Sequence, residues 1–167
     1  INTIIPSDVK SLGNNSFAEC GIDSIKIPDS VEKIGDWVFC ACENLSFVTI
    51  PENVKTIGSY AFLNCYKLSS INIPENVEKI GSYAFQRCYN LGSVYVYSTD
   101  PGSIQMGNYV FNYVKIDTCT LYVPEGCADA YRNVIPWNQF GKITSFKPDN
   151  QSGGQQGSGQ PNDEIWY

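Results

Sequence analysis

Cysteine is the residue type in this sequence that is best suited to metal or redox chemistry. The chain has seven cysteines and no histidine, which removes His-dependent catalytic triads, His-ligated metal sites and imidazole acid–base catalysis. Four cysteines are separated by 22, 23 and 23 residues. This spacing predicts a stripe of small, buried thiols, because side chains in one line can neither surround a metal ion nor point at each other for a disulfide. These four are Cys20, Cys42, Cys65 and Cys88.

The other three cysteines have separate interpretations. Cys40 occupies a position whose residue type varies between repeats, so we expect it to be exposed and to be the most reactive thiol. Cys40 and Cys42 form a Cys-x-Cys pair, but no second pair accompanies it, which argues against a zinc site. Cys119 and Cys127 flank one predicted strand, and the sequence leaves open whether they form a disulfide.

Carboxylates are the remaining candidates for catalysis. Asp29, Glu52 and Glu75 each directly follow a proline of the repeat. A calcium site or a glycosidase pair needs carboxylates that face one cleft, whereas repeated turn positions place them in a row along a solvated edge. We therefore predict no catalytic residues, no metal site and no cofactor. The net charge of −6 lacks the basic footprint of a nucleic-acid-binding protein, and no apolar run is long enough to span a membrane.

The elements that position these residues come from an internal repeat. Four prolines lie 22, 23 and 23 residues apart, and each is followed at fixed offsets by an aliphatic residue, a second aliphatic residue, glycine, phenylalanine and cysteine. So many matched columns indicate stacked units that share one continuous core. The prolines are Pro6, Pro28, Pro51 and Pro74, and the phenylalanines are Phe17, Phe39, Phe62 and Phe85.

Each column has a structural role in the repeat unit. The segment Leu45–Pro51 ends in strict alternation, which predicts a strand with Val48 and Ile50 inward. Pro51 ends this strand. Gly58 permits a positive φ and hence a sharp turn. The residue after this glycine is Asn, Asp or Ser in each of the four repeats, as at Ser59, which predicts an N-cap followed by a short helical turn.

The predicted fold is an α/β solenoid, a right-handed stack of units of about 23 residues. One parallel β-sheet forms one face, short helical turns lie opposite, and the phenylalanine and cysteine columns form ladders in the core. The register weakens after Val96, and large aromatic residues such as Trp137 and Phe140 predict a C-terminal aromatic cap over about residues 121–146.

The motif Ile-Pro-x-x-Val-x-x-Ile-Gly-x-x-Ala-Phe-x-x-Cys-x-x-Leu-x-x-Ile, quoted from Ile50–Ile71, resembles the BspA-like leucine-rich repeat of bacterial surface proteins. The segment Leu121–Gly126, together with Trp137 and Phe140, is similar to the terminal cap of that family. The resemblance implies a leucine-rich-repeat solenoid in a secreted or surface-anchored bacterial protein, some members being adhesins. It implies no catalytic residue, because the motif consists of core positions.

Composition divides the chain into three parts. We expect a leucine-rich-repeat domain at 1–148, a flexible linker rich in Gly, Ser and Gln at 149–161, and the truncated start of a following module at 162–167. A natural tail that docks back on the domain is the alternative.

The outward positions of the strands are the candidate binding surface. They are Phe47, Thr49, Asn72, Tyr95 and Tyr122, and aromatic residues are favoured anchors at interfaces. The expected partner is a host extracellular protein or a surface glycan. A second aromatic column, which includes Trp37, Tyr60 and Tyr83, is either a partner surface or a set of rings that pack on one another. A structural spacer that displays a neighbouring domain is the alternative function.

Overall fold

The computed structural model describes residues 3–147, and its strands pair in parallel, repeat after repeat. The predicted solenoid is therefore confirmed, with about six turns. One α-helix, α1 (Ala128–Tyr131), and one 3-10 turn (Trp137–Gln139) lie near its C-terminal end. The strands are β1 (Ser11–Leu12), β2 (Ser24–Lys26), β3 (Lys33–Ile34), β4 (Phe47–Thr49), β5 (Thr56–Ile57), β6 (Ser70–Ile73), β7 (Lys79–Ile80), β8 (Ser93–Val96), β9 (Gln105–Met106), β10 (Thr120–Pro124) and β11 (Lys142–Phe146).

The longer strands form the front face of the solenoid. Strands β6, β8, β10 and β11 make a four-stranded sheet, and β2 pairs with β4 beside it. Register partners lie one repeat apart, as for Ile71 and Val94, so the sequence columns become ladders across the sheet. Val48, Ile71 and Val94 point into the core and are almost fully buried.

The shorter strands form a second parallel sheet, which the sequence analysis predicted only as an extended piece. Strands β1, β3, β5, β7 and β9 pair in this order. Each has two residues. In β1, β3, β5 and β7 one of them is buried in the core, as Ile34, Ile57 and Ile80 are, whereas Met106 of β9 is half-buried.

The third side consists of turns rather than the predicted helical turns, and this part of the prediction was wrong. We call these segments the back turns; they span 14–20, 36–42, 59–65, 82–88 and 108–114. Two residues in each have a left-handed backbone, for example Trp37 (φ 61°) and Ala41 (φ 56°). Seven residues are too few to stabilise an isolated helix. Alternate amides instead donate to the next repeat unit of the stack, which we call the next rung. For example, the Phe39 N–H donates to the Ala61 carbonyl at 2.8 Å.

The predicted N-cap residues also form hydrogen bonds between rungs. The Asp36 carboxylate accepts a hydrogen bond from the Ser59 backbone N–H at 2.8 Å, and the Asn14 side-chain carbonyl accepts one from the Asp36 N–H at 2.9 Å. Each side chain therefore satisfies an amide of the following rung instead of an amide in a helix of its own.

The glycine column exists for a different reason from the one predicted. Among the described residues, the glycine with a positive φ is Gly126 (82°), so Gly58 does not use a left-handed turn. A Cβ atom on Gly58 would lie 2.3 Å from the carbonyl oxygen of Gly35, and one on Gly81 would lie 2.3 Å from the nitrogen of Ser59. Glycine is needed because consecutive rungs approach each other too closely for any side chain.

Aromatic rings fill the core behind the back turns. The rings of Phe17, Phe39, Phe62, Phe85 and Phe111 stack in this order, with neighbouring centroids 5.2–5.6 Å apart. Such offset stacks add to the free energy gained from burying the rings.

The C-terminal segment packs on the last rung. Phe140 meets the Phe111 ring edge-on at 5.3 Å, and both Tyr131 and Trp137 are fully buried. The Tyr131 hydroxyl donates to the Ser98 carbonyl at 2.8 Å, and the Trp137 indole donates to the Pro101 carbonyl at 3.3 Å. Within 3–147 no helix has the length and apolar character to cross a membrane. The linker and following module predicted at 149–161 and 162–167 lie outside the described residues.

The close approach of rungs predicts the effect of a Gly58→Ala substitution. The new methyl group would overlap the backbone of Gly35, so we expect a loss of about 3 kcal/mol in the free energy of unfolding. Gly13→Ala is the matched control, since nothing lies within 4 Å of a Cβ at that position. Urea denaturation followed by circular dichroism measures both. Equal stability of the two variants would contradict the role given to the glycine column.

Candidate functional site

The outward positions of the front face fall into two groups. Asn72 is the register partner of Tyr95, and Tyr95 is the partner of Tyr122, so these three lie in one row of the four-stranded sheet. Phe47 and Thr49 lie on β4, paired with Ser24 and Lys26 of β2. Phe47 is 39% exposed, whereas Thr49, Asn72, Tyr95 and Tyr122 are half-buried.

Four rings gather at the C-terminal end of the front face, and we call them the front cluster: Tyr95, Tyr97, Tyr122 and Phe146. The rings of Tyr95 and Tyr122 stack with centroids 4.4 Å apart and planes at 12°. Phe146 meets Tyr95 edge-on at 6.2 Å and Tyr97 edge-on at 5.0 Å. The parallel β10–β11 pairing places Phe146 here, beside Pro124.

Tyr97 and Phe146 are members of this surface that the sequence did not predict. Tyr97 stands at the position that is proline in the earlier repeats, and this break in the column was the available signal. Phe146 follows the non-repeating C-terminal segment, where no column predicted its register.

The front cluster presents aromatic rings and phenol hydroxyls on the outer side of the sheet. Burial raises the pKa of the Tyr95 hydroxyl, and the neighbouring Tyr122 raises it further, so the phenol stays protonated at neutral pH. Amphipathic rings that are partly buried and rigidly stacked are suited to interface anchoring at a low entropic cost.

In the cysteine ladder (Cys20, Cys42, Cys65 and Cys88), the thiols of the last three form hydrogen bonds between rungs. The Cys65 thiol donates to the Phe39 carbonyl of the preceding rung at 3.2 Å, and Cys88 donates to Phe62 in the same way at 3.3 Å. Burial raises the pKa of Cys88 to about 12 and moves that of Cys65 in the same direction. Protonated, buried thiols are neither metal ligands nor nucleophiles. Within the part of the chain that the structure describes, no group of three or more Cys, Asp or Glu side chains could hold a metal ion.

The rings of the second aromatic column stack on each other from rung to rung, as the packing alternative for Trp37, Tyr60 and Tyr83 predicted. Centroids lie 4.0 Å apart for Trp37 and Tyr60, 5.0 Å for Tyr60 and Tyr83, and 5.4 Å for Tyr83 and Tyr109. Only the last member, Tyr109, is largely exposed, at 66%.

Comparison with known families agrees with this repeat architecture. The sequence matches the family described as BspA type leucine rich repeat region, with six copies over residues 2–133. The chain belongs to the BspA-type leucine-rich repeat family.

Two solved structures have the same fold as this BspA-type chain. A leucine-rich repeat protein of T. pallidum superposes with a TM-score of 0.62 at 23% identity, over 71% of this chain and 56% of that one. A leucine-rich repeat protein from Bacteroides ovatus superposes with a TM-score of 0.50 at 19% identity, over 87% of this chain and 49% of that one. The BspA-type chain therefore spans about half the length of each. No curated protein matches it significantly.

The remaining cysteines of the BspA-type chain are free thiols. Cys40 is half-buried rather than exposed, and burial, followed by the negative charge of Glu19, raises its pKa. This corrects the expectation of an exposed, especially reactive thiol. Cys119 is buried and Cys127 half-buried, and no disulfide joins them in the structure.

Thiol burial predicts a labelling pattern. Iodoacetamide at pH 8 should modify the half-buried Cys20, Cys40 and Cys127 in the native protein and leave the other cysteines unmodified until a denaturant is added. Mass spectrometry of peptides reads the sites. Rapid native labelling of Cys65 would contradict the ladder.

The position of Glu19 predicts how the Cys40 rate changes. Glu19→Gln removes the negative charge that raises the thiol pKa, so the thiolate fraction and the labelling rate of Cys40 should increase. The exposed Glu43 supplies the control variant Glu43→Gln, which should leave the rate unchanged. An unchanged rate in Glu19→Gln would show that burial alone controls this thiol.

Proposed function

We propose that this chain is a non-enzymatic binding module of a secreted or surface-anchored bacterial protein, used for adhesion to a host extracellular protein or a surface glycan. The observation that carries the proposal is the front cluster, in which stacked Tyr95 and Tyr122 rings and the edge-on Phe146 occupy the outer side of a sheet. Rigid aromatic anchors of this kind contribute much of the binding energy at interfaces.

Family membership supports the same class of function. BspA-type proteins are typically bacterial surface or secreted proteins, and their repeat motif is made of core positions. The proposal therefore assigns binding to outward residues, and it includes no catalytic step and no cofactor. A repeated surface with shallow contacts binds weakly in one copy and gains strength through multivalent display.

A structural spacer that displays a neighbouring domain is the second candidate function. The observation that favours it is the composition of the outward rows away from the front cluster. Register partners Ser70, Ser93 and Thr120 carry only small polar side chains, which offer few anchoring contacts. The same solenoid could then serve to separate domains.

The test is binding of multivalently displayed chain to a panel of host extracellular matrix proteins and cell-surface glycans. We expect a saturable interaction that the double substitution Phe47→Ser and Tyr95→Ser weakens by about tenfold or more. Loss of the Tyr95–Tyr122 stack should cost about 1 kcal/mol of stability and leave the fold intact by circular dichroism.

Tyr89→Ser is the matched control for this experiment. Tyr89 is 44% exposed and stacks on Tyr66 at 5.5 Å, so its substitution removes a comparable ring pair from another surface. Equal loss of binding in both variants would contradict a front-face site. No interaction with any panel member at high valency would favour the spacer.

A further inference from the structure

The back turns form a hydrogen-bond ladder with a single direction. In each of the first four back turns, three alternate amides donate their N–H to carbonyls of the next rung. Aligned peptide groups of this kind sum their dipoles, as in a helix, so the N–H end of the stack carries partial positive charge. In the second back turn the donors Trp37, Phe39 and Ala41 bond Ser59, Ala61 and Leu63 at 3.0, 2.8 and 2.7 Å.

The ladder ends at the fifth back turn, where its donors are left open. The corresponding amides there belong to Tyr109, Phe111 and Tyr113, and none of them has an acceptor among residues 3–147. No sixth back turn follows within residues 3–147, because the chain continues into β10 and α1. Phe140 covers the Phe111 ring but takes no hydrogen bond from these amides.

A cleft of about 510 Å³ lies at this open edge. The fifth back turn forms one side, and Ile135, Pro136 and Gln139 of the C-terminal segment contribute the other. No charged residue lines it, although the chain as a whole has a net charge of −6.

Two exposed tyrosines of the fifth back turn line this cleft. Tyr109 is 66% exposed and Tyr113 is 60% exposed. The Tyr109 ring stacks on Tyr83 at 5.4 Å, and the Arg87 guanidinium lies 5.5 Å from the Tyr113 ring centroid. Each ring is thus supported by the preceding rung, while much of its surface remains open for contact with a ligand.

We propose that this cleft binds a glycan that carries acetamido groups. The sugar ring packs against the exposed tyrosines, whose faces attract the weakly positive C–H groups of a pyranose. The acetamido carbonyl accepts hydrogen bonds from the open amides, because in every earlier back turn these same positions bond amide carbonyls. Uncharged polar groups around the cleft, such as the Gln139 amide, suit a neutral, hydroxyl-rich ligand.

Two other ligand classes fit the cleft less well. A peptide strand presents N–H and C=O groups alternately along each edge, so it would set donors against this donor-only edge. A polyanion would find no charged residue lining the cleft and a repulsive net charge on the chain. The acetamido glycan offers carbonyl acceptors to the open donors, and it has neither the alternating N–H groups of a peptide edge nor negative charge.

The first test is a titration of the whole chain with the trimer of N-acetylglucosamine, followed by two-dimensional amide NMR. We expect saturable shifts of the Tyr109, Phe111 and Tyr113 amides, with the paired amides of Trp37 and Phe39 unmoved. The glucose trimer, which lacks acetamido groups, should bind at least about tenfold more weakly. No shifts at the open amides, equal binding of the glucose trimer, or preference for the galacturonic acid trimer would overturn the proposal.

The second test uses variants that the fold already accepts. Asn15 and Asn64 occupy the two left-handed positions in other back turns, so Tyr109→Asn and Tyr113→Asn keep residues suited to that backbone. The double variant should lose at least about tenfold in affinity for the N-acetylglucosamine trimer, while Tyr89→Asn should not. Unchanged affinity in the double variant would overturn the proposal. This site is separate from the front cluster, so its failure would leave the proposed front-face function standing.

Discussion

Consecutive rungs of this solenoid lie so close at the glycine column that no Cβ atom fits between them, and the rest of the structure depends on this spacing. A Cβ on Gly58, Gly81 or Gly107 would lie 2.3 Å from backbone atoms of the preceding rung. The same close stacking lets the parallel strands pair at about 4.8 Å and lets core phenylalanine rings stack, as Phe39 and Phe62 do at 5.2 Å. It also brings the thiols of Cys42, Cys65 and Cys88 within reach of a carbonyl in the rung before each of them. Each column of the repeat therefore holds a residue type that is compatible with this distance between rungs.

Periodicity predicted the parts of the fold that depend on this spacing. The columns placed Ile71 beside Val94, as β6 and β8 do, and they set the inward and outward sides of each front strand. The columns gave wrong predictions where a residue type can serve more than one structural role. Asp36 is a good N-cap, yet its carboxylate bonds the Ser59 amide of the next rung, and Gly58 serves close packing rather than a positive φ. Local preference cannot distinguish these uses, because the competing partner lies a whole repeat away in the chain.

In the candidate sites, too, local patterns predicted some residues, whereas others depend on contacts between distant parts of the chain. Alternation along the strands predicted that Asn72, Tyr95 and Tyr122 face outward, and pairing between strands puts them in one row. Phe146 joined them only through the β10–β11 pairing, which follows a segment without repeats. The open amides of Tyr109, Phe111 and Tyr113 required the direction of the hydrogen-bond ladder, which no side-chain pattern encodes. Both proposed binding surfaces thus lie where the repeat is interrupted.

Amide hydrogen exchange of the whole chain, measured residue by residue by NMR, tests the central claim most directly. The claim is that rungs at this close spacing are joined by a one-directional backbone ladder, which holds the back turns together and ends with open donors. Amides of Phe39, Phe62 and Phe85, which donate to the next rung, should exchange slowly and at similar rates, since exchange requires opening of the ladder. Amides of Tyr109, Phe111 and Tyr113 should exchange orders of magnitude faster. Equal protection in all back turns, or fast exchange in the inner ones, would contradict this account.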